Sequence, residues 1–343
     1  MSQYDYFMPG ENLETLGLGK EREPVQNEIE VQFPGRIHTV VFDCNRFSIG
    51  SPGGGGIGFA VKLPNRLRVE ISNEDSINGP ADTIPLQKHI VALMRSLLDR
   101  SLHVKTALSL VPLVSQHMGF GSTTAVMTSL MESINRMHDS PLSSDQIRSL
   151  VAANFAETYG DMLCRGLETG VGTYVILNGG MVIMSDKIKV AFSCKFLPDY
   201  EVFLIDPDTK RPDHEGSEDL SLLKRSFEED YLFRYQKTYM TLMDFIPAVY
   251  DNDVKKMGDI IWRFQLGGDN LPLLQNYECQ GADLYFKMAK LRDNDIPIVG
   301  FSSVGPTVYA ITKNPNAVIN VCKEFGMKFF QTTIDNDGIA TIK

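Results

Sequence analysis

The sequence predicts an α+β fold in two domains with a cleft between them. The chain has 343 residues, more than one compact core usually holds. Its hydrophobic share of 43% and charged share of 22% are typical of a soluble globular protein. Segments with strand-like and helix-like spacing alternate without the strict β-α-β order of a parallel sheet, which favours a mixed α+β architecture.

The first half contains an irregular arm followed by mixed elements. Residues 1–30 are polar and acidic, and several Pro and Gly residues interrupt any periodicity, so we expect an arm that packs within its own chain or in a homodimer. Apolar patterning predicts strands over 37–42, 57–61, 67–71 and 104–111. It predicts helices over 85–98, from about 121 onward, and over 144–159.

The second half of the chain also mixes predicted strands and helices. Gly179 and Gly180 lie between the apolar runs 173–177 and 181–184, which predicts a hairpin. A strand over 200–205 begins a second domain, so we expect domains over 31–195 and 196–343. The remaining pattern predicts helices over 218–249, 253–265, 280–292 and 315–325 and strands over 298–302, 307–311 and 328–333.

Charge and cysteine content limit the partners. A net charge of -10 argues against non-specific binding to nucleic acid or to an anionic membrane, because both need a positive surface. No early apolar run resembles a signal peptide or reaches transmembrane length, and the five scattered cysteines indicate reduced thiols. We therefore expect a cytoplasmic protein. The acidic runs 213–219 and 228–230 are typical of solvated surface.

One glycine-rich turn carries the clearest chemical signal. It precedes a predicted helix and consists of Gly119, Phe120, Gly121, Ser122, Thr123 and Thr124. A helix N-terminus presents unpaired N–H groups, and glycines before it let a phosphate approach the backbone closely. Ser122 or Thr123 could cap the helix or offer an oxygen to Mg²⁺. Taken alone, the segment fits a phosphate cradle and a simple capped loop equally well.

Three segments together resemble one superfamily. Residues 33–38, 119–125 and 300–309 are similar to the three motifs of the galactokinase, homoserine kinase, mevalonate kinase and phosphomevalonate kinase (GHMP) superfamily. Their order and separation cover roughly residues 30–335. The resemblance implies the GHMP two-domain fold and a phosphate-binding role for the turn at Gly121.

A closer resemblance is to a non-kinase branch, β-ribofuranosylaminobenzene 5′-phosphate synthase. The matching segments run from Arg36 and His38 to Asp43, through the glycines at 53–56, and through 165–172, 179–180 and 302–307. The family transfers ribose 5-phosphate from phosphoribosyl pyrophosphate (PRPP) to a ring carbon of an aromatic acid, releasing CO₂ and pyrophosphate. Similar enzymes make C-nucleoside antibiotics of the formycin and pyrazofurin type, so the resemblance implies a heteroaromatic, pyrazole-type acid or a benzoate-type acid of the methanopterin pathway.

The resemblance also implies a set of site residues. Arg36, His38 and Arg165 are candidates for catalysis by binding the acceptor or the 5-phosphate. Ser122 is a candidate for binding Mg²⁺, and Asp43 for binding Mg²⁺ or the ribose hydroxyls. Each could instead be structural, as a salt-bridged arginine, a core histidine or an acid closing a strand. The expected substrate and pyrophosphate contacts are Gly53, Gly54, Gly55, Gly56, Gly119, Phe120, Gly121, Ser122, Thr123, Thr124, Thr169, Gly170, Ser302, Ser303 and Gly305.

Two other functions stay open. An ATP-dependent GHMP kinase commonly has an acidic base followed by Gln in the loop that corresponds to 169–174, and this loop has neither. A binding or dimerising protein without catalytic activity would hold a ligand on the same fold. The residues Thr123 and Thr124 depart from both the kinase and the methanopterin-type versions of the turn, which favours a heteroaromatic acceptor.

Overall fold

The computed structural model describes residues 6–46, 48, 50–111, 121–208, 217–267, 279–303 and 305–343, with the backbone alone for 217–226 and 279. Its strands are β1 (Tyr6–Phe7), β2 (Glu28–Val40), β3 (Gly56–Ile71), β4 (Ser76–Asn78), β5 (Val104–Ser109), β6 (Ala156–Tyr159), β7 (Met162–Arg165), β8 (Met181–Ser185), β9 (Lys189–Cys194), β10 (Glu201–Asp206), β11 (Ile298–Phe301), β12 (Val308–Thr312), β13 (Lys328–Thr333) and β14 (Ala340–Thr341).

Helices are interspersed among these strands and confirm the α+β class. They are α1 (Ile84–Leu97), α2 (Ser122–Met137), α3 (Ser144–Ala153), α4 (Val171–Asn178), α5 (Ser217–Met240), α6 (Ile246–Tyr250), α7 (Val254–Gln265), α8 (Cys279–Asp293) and α9 (Pro315–Glu324). A π-helical turn, Thr241–Phe245, joins α5 to α6. Within the described residues, no helix is long and apolar enough to cross a membrane.

The first half is built on a seven-stranded sheet. Its main path runs β14-β2-β3-β5-β4, and β8 pairs with β3 on one side and with β9 on the other. Strands β2 and β3 are antiparallel, with irregularities between Phe33 and Gly35 and between His38 and Val40. Apolar side chains of β2, β3 and β5 form one core with α1, α2 and α3, which fixes α2 against β2.

The second half is built on an antiparallel sheet of order β11-β12-β10-β13. Ile37 and Phe59 of the first sheet share a hydrophobic core with Leu204, Phe264 and Tyr309 of the second half. The predicted boundary after residue 195 falls between β9 and β10, whereas β14 returns to pair with β2. The domain limits stay a prediction, since the chain ends within the first sheet.

Two sequence-based expectations are wrong. Residues 173–177 lie in helix α4, so Gly179 and Gly180 connect a helix to β8 rather than forming a hairpin. Short apolar runs have no decisive periodicity, and this run is helical where it packs beneath α2. The helix expected over 144–159 ends at Ala153, and Ala156–Tyr159 pairs with β7 as a strand.

The N-terminal arm packs along its own chain. Backbone N–H groups of Lys20 and Val25 donate to the carbonyls of Leu97 and Met137 at the ends of α1 and α2. The N–H of Glu14 donates to Oδ1 of Asn154. Apart from β1 the arm is irregular over residues 8–27, as the sequence predicts.

Candidate active site at the start of helix α2

Helix α2 begins after Gly121, which has a left-handed backbone with φ 65° and ψ 37°. Among the described residues, no side-chain hydrogen bond caps the helix, and its first turn carries no acidic residue. The N–H groups of that turn are therefore available to a ligand, and the helix dipole favours a negative one. Gly119 and Phe120, which the sequence places in the same turn, lie outside the described residues.

Arg36 of β2 brings a positive charge to this helix end. A Cβ added at Gly121 would lie 2.6 Å from Nε of Arg36 and 2.8 Å from its Nη2, so the guanidinium lies against the backbone of Gly121. Nε and Nη1 are buried and have no hydrogen-bond partner among the described residues. Burial lowers the pKa of Arg36, and the carboxyl groups of Glu168 and Glu157 oppose that effect. A cation with buried, unpartnered nitrogen atoms beside a helix N-terminus would be stabilised by an anion.

Glu168 is a residue that the sequence analysis missed. It is buried, and its Oε2 accepts a hydrogen bond from Oγ1 of Thr124 at 3.2 Å. Its Oε1 accepts one from the N–H of Gly170 at 2.6 Å. Burial raises the pKa of Glu168, while the charge of Arg36 and these hydrogen bonds act in the opposite direction. Its place between the matched glycines at 166 and 170 was the available signal.

His38 joins β2 to the loop before α4. Its Nε2 lies 3.3 Å from Oγ1 of Thr169. Burial lowers the pKa of His38 well below its ordinary value, and the charges of Arg36 and Lys237 lower it further. The imidazole is therefore neutral at pH 7, and it can exchange a hydrogen bond with a ligand without adding a charge to the site.

The turn after β11 closes against the same histidine. The N–H of His38 donates to Oγ of Ser302 at 3.1 Å, and the N–H of Ser303 donates to the carbonyl of His38 at 2.9 Å. The N–H of Gly305 donates to the carbonyl of Ser302 at 2.9 Å. The structure thus brings the predicted residues Ser302 and Ser303 next to His38, from opposite halves of the chain.

The glycine cluster packs closely against protein atoms. A Cβ added at Gly56 would lie 3.1 Å from Nε2 of His38, and one added at Gly53 would lie 2.8 Å from Oδ1 of Asp186. Gly54 and Gly55 have φ values of 73° and 63°. These contacts and backbone angles require glycine for intramolecular reasons. Contact between the four glycines and a substrate stays a prediction.

Comparison with known proteins connects this geometry to one fold. The chain is 26% identical over 301 residues to β-ribofuranosylphenol 5′-phosphate synthase of Archaeoglobus fulgidus, covering 83% of this chain and 88% of the relative. Galactokinase of Lactococcus lactis, solved with galactose, superposes with a TM-score of 0.66 at 11% identity over 91% of this chain and 95% of the galactokinase.

A second solved structure gives the same result. Mevalonate diphosphate decarboxylase of Enterococcus faecalis superposes with a TM-score of 0.63 at 16% identity, covering 92% of this chain and 99% of the decarboxylase. This chain has the GHMP kinase fold. No family model matches the sequence, so the similarity to the synthase rests on the pairwise comparison.

Two predicted site residues have other partners in this GHMP fold. The carboxylate of Asp43 lies 3.6 Å from Nε of Arg46 and 3.6 Å from Nε of Arg234, so two cations already share it. Arg165 donates from Nη1 to the carbonyl of Ala153 at 2.5 Å and from Nη2 to that of Asn12 at 2.6 Å. Both contacts fasten the arm to the end of α3, and the catalytic role of Arg165 stays a prediction.

A buried ion pair ties the second half to the end of β2. Lys237 of α5 contacts Oδ1 of Asp230 and donates to the carbonyl of Val41, and Oδ2 of Asp230 accepts from the N–H of Cys44 at 2.6 Å. Asp230 is fully buried, so the expectation of solvated surface over 228–230 is wrong for this residue. The run 228–230 alone could not reveal this pair, because Lys237 lies two helical turns beyond Asp230 on α5.

Proposed function

We propose that this chain is a transferase that joins ribose 5-phosphate from PRPP to a ring carbon of an aromatic carboxylic acid, releasing CO₂ and pyrophosphate. The observation that carries the proposal is Arg36 at the start of α2, whose buried Nε and Nη1 have no hydrogen-bond partner among the described residues. The resemblance to a ribofuranosyl 5′-phosphate synthase supplies the reaction class.

Pyrophosphate is the group that this helix end fits best. Cleavage of the bond between ribose C1 and pyrophosphate leaves positive charge on the sugar and an electron pair on the leaving oxygen. The guanidinium of Arg36 and the N–H groups of Ser122 and Thr123 would stabilise that developing negative charge. Because these donors are fixed before the substrate arrives, little reorganisation is needed at the moment of cleavage.

The acceptor carbon that bears the carboxylate attacks C1, and loss of CO₂ restores the aromatic ring. A neutral His38 beside Thr169 is placed to exchange a hydrogen bond with the acceptor. A benzoate-type acid has the better support, since decarboxylation of a hydroxybenzoic acid gives a phenol and the relative is named for a ribofuranosylphenol. The pyrazole-type acid is the alternative, and it rests on the departures at Thr123 and Thr124.

We propose a limited role for Mg²⁺ in binding the pyrophosphate. The described residues contain no group of three or more His, Cys, Asp or Glu side chains that could hold a metal. In phosphate sites, however, Mg²⁺ is commonly held by one or two carboxylates together with substrate phosphates and water. Ser122 and Glu168 are the oxygen donors that fit this pattern, and the ion would neutralise charge on the pyrophosphate. Asp43 fits it poorly because it is paired with two arginines.

An ATP-dependent kinase is the second candidate function, and Glu168 is the observation that favours it. A buried carboxyl group with a raised pKa directly before the loop 169–174 could accept a proton from a substrate hydroxyl. The loop itself still has no acidic residue. The synthase would consume PRPP and the kinase would consume ATP, so one assay with both donors distinguishes the two functions.

The test incubates the purified protein and Mg²⁺ with PRPP and a panel of hydroxybenzoic and pyrazole carboxylic acids, with ATP in parallel reactions. We expect equal amounts of pyrophosphate and CO₂ with at least one acid. Phosphorylated product from ATP without consumption of PRPP would replace the synthase by a kinase. Turnover with neither donor would indicate a binding protein without catalytic activity.

A variant tests the anion site separately. Arg36→Met keeps a long side chain but removes the charge, so we expect affinity for pyrophosphate, measured by calorimetry, to fall about 10- to 100-fold. Arg68→Met is the matched control, because Arg68 lies on the neighbouring strand in a half-exposed pair with Glu28. Equal affinity in the folded Arg36 variant would remove this residue from the site.

A further inference from the structure

The segment from α5 to α6 presents a contiguous apolar surface, here called the aromatic face. Its seven large side chains are between 53% and 79% exposed and are Tyr231, Leu232, Tyr235, Tyr239, Leu242, Met243 and Tyr250. Single exposed apolar residues are ordinary, but a contiguous set on one element marks an interaction surface. Its members are not among the candidate active site residues, and its role does not depend on the reaction proposed above.

The seven members of the aromatic face are uncharged. Between 231 and 250, a fully described stretch, the other exposed residues are Gln236, Thr238 and Pro247. The charges of this stretch are buried, covered or paired. Lys237 is buried with Asp230, and the guanidinium of Arg234 lies over the ring of Tyr231 at 3.5 Å. The side chain of Asp244 is 42% exposed, and its carboxylate lies 3.9 Å from Nζ of Lys256. An uncharged helix surface is unexpected on a chain with a net charge of -10.

The apolar positions form one stripe along the helix axis. Residues 231, 235, 239, 242, 246 and 250 are apolar or aromatic and are spaced by three or four positions, which is the spacing of one helix face. The π-helical turn Thr241–Phe245 lies near the middle. With ~200 Å² for each large side chain, the seven members expose on the order of 900 Å², close to the ~800 Å² that each partner buries in a standard interface.

We propose that the aromatic face is the interface of a twofold-symmetric homodimer in which the α5–α6 segments of two copies pack antiparallel. The stripe is symmetric about the midpoint between Met240 and Thr241, so an antiparallel pairing places apolar residues opposite apolar residues. Tyr231 then faces Tyr250 of the other copy, Tyr235 faces Ile246, and Tyr239 faces Leu242. Self-complementarity of this kind is what a twofold interface requires.

Electrostatics favours a second copy over other occupants. Two molecules with a net charge of -10 repel one another, and an uncharged face is where that repulsion is smallest. A membrane-binding helix would carry Lys or Arg beside its apolar stripe, and the exposed residues from 231 to 250 include none. A nucleic acid would likewise need a basic surface.

The test is the oligomeric state of the full chain, measured by sedimentation over a wide range of protein concentrations. We expect a dimer, and we expect Leu242→Glu to weaken it by about 100-fold or more, because the symmetry places two new negative charges close together. Leu16→Glu is the matched control. Leu16 is 48% exposed and Leu242 is 62% exposed, but Leu16 lies on the N-terminal arm and its variant should remain dimeric. Circular dichroism establishes that each variant is folded.

Three results would overturn the proposal. The first is a wild-type chain that is monomeric throughout the concentration range. The second is a dimer that persists in folded Leu242→Glu, which would place the interface elsewhere. The third is a monomer that sediments with vesicles of neutral or anionic phospholipid, since the aromatic face would then serve a membrane. None of these outcomes bears on PRPP turnover, so failure of this proposal and failure of the proposed function are distinguishable.

Discussion

At the scale of single residues, the start of α2 combines a cation and an acid that both lose contact with water. Desolvation lowers the pKa of Arg36 and raises that of Glu168, so each group alone would be costly in its charged form. Their attraction offsets part of this cost, and the guanidinium lies beside Gly121. An incoming phosphate would therefore meet a positive charge that is already in place.

Glu168→Gln tests this balance through pH. Because the folded pKa of Glu168 lies above its ordinary value of 4.5, folding retains a proton that the unfolded chain releases. The contribution of Glu168 to stability is thus full below the ordinary pKa and declines as pH rises toward the raised one. We expect Glu168→Gln to have the same melting temperature as wild type at pH about 4 and a higher one at pH about 7. A lower melting temperature at neutral pH would mean that the attraction of Arg36 and the hydrogen bonds to Glu168 outweigh desolvation.

The site residues differ in how far the sequence could predict them. Arg36 and His38 are two positions apart on one strand, and alternate strand residues share a face, so their proximity follows from the motif. Glu168 is a single acid in a loop and has no periodic signal. The occupation of Asp43 by Arg234 depends on where a distant helix lies, which no local pattern specifies.

At the scale of elements, Gly121 and Gly160 offer a matched pair of substitutions. Both have left-handed backbones, with φ of 65° and 58°, so alanine costs each about 1 kcal/mol of backbone strain. At Gly121 the added Cβ would also displace the guanidinium of Arg36, whereas at Gly160 nothing lies within 4 Å. We expect both variants to lose similar thermal stability, and only Gly121→Ala to lose affinity for pyrophosphate.

The measurement is thermal unfolding together with calorimetric titration of pyrophosphate. Equal loss of affinity in both variants would mean that strain alone perturbs the site. Full affinity in Gly121→Ala would mean that the ligand does not use the guanidinium at its observed position. The contact between Gly121 and Arg36 connects the start of helix α2 to strand β2. The sequence of the glycine-rich turn alone could not predict this contact.

Prediction of elements succeeded where the pattern was long. The strands of the second sheet and α7 and α9 follow from clear periodicity, and they occur at the expected places. Helix α4 was not predicted because its short apolar sequence is buried on nearly all sides. Such a sequence is typical of a buried strand and of a buried helix alike. The end of α3 was predicted too late in the sequence, because the turn at Gly160, which joins strands β6 and β7, was not recognised.

At the scale of the whole molecule, two halves distant in sequence assemble one site. Ser302 and Ser303 contact His38, and the apolar core continues from the first sheet into the second. Sequence motifs could place these segments in one fold by resemblance. They could not show that the buried pair of Lys237 and Asp230 fixes α5 to the end of β2, because pairing depends on the packing of the two halves.

This pair gives a prediction about assembly. Lys237→Met removes the cation that contacts the buried carboxylate of Asp230, so we expect the free energy of unfolding to fall by about 3–5 kcal/mol. Adding Asp230→Asn, which keeps an acceptor for the N–H of Cys44, should recover much of that loss. Lys255→Met is the matched control, since its pair with Asp259 is exposed and should contribute less than about 1 kcal/mol.

Chemical denaturation of wild type, Lys237→Met, Asp230→Asn and the double variant measures the coupling of the pair through a double-mutant cycle. An equal loss in Lys237→Met and Lys255→Met would show that the buried pair does not hold the halves together. The pair also acts at the site, because the charge of Lys237 lowers the pKa of His38. Lys237→Met should therefore raise the pKa of His38, as seen by NMR titration of its ring protons, so that a lysine of the second half controls the protonation of a histidine in the first.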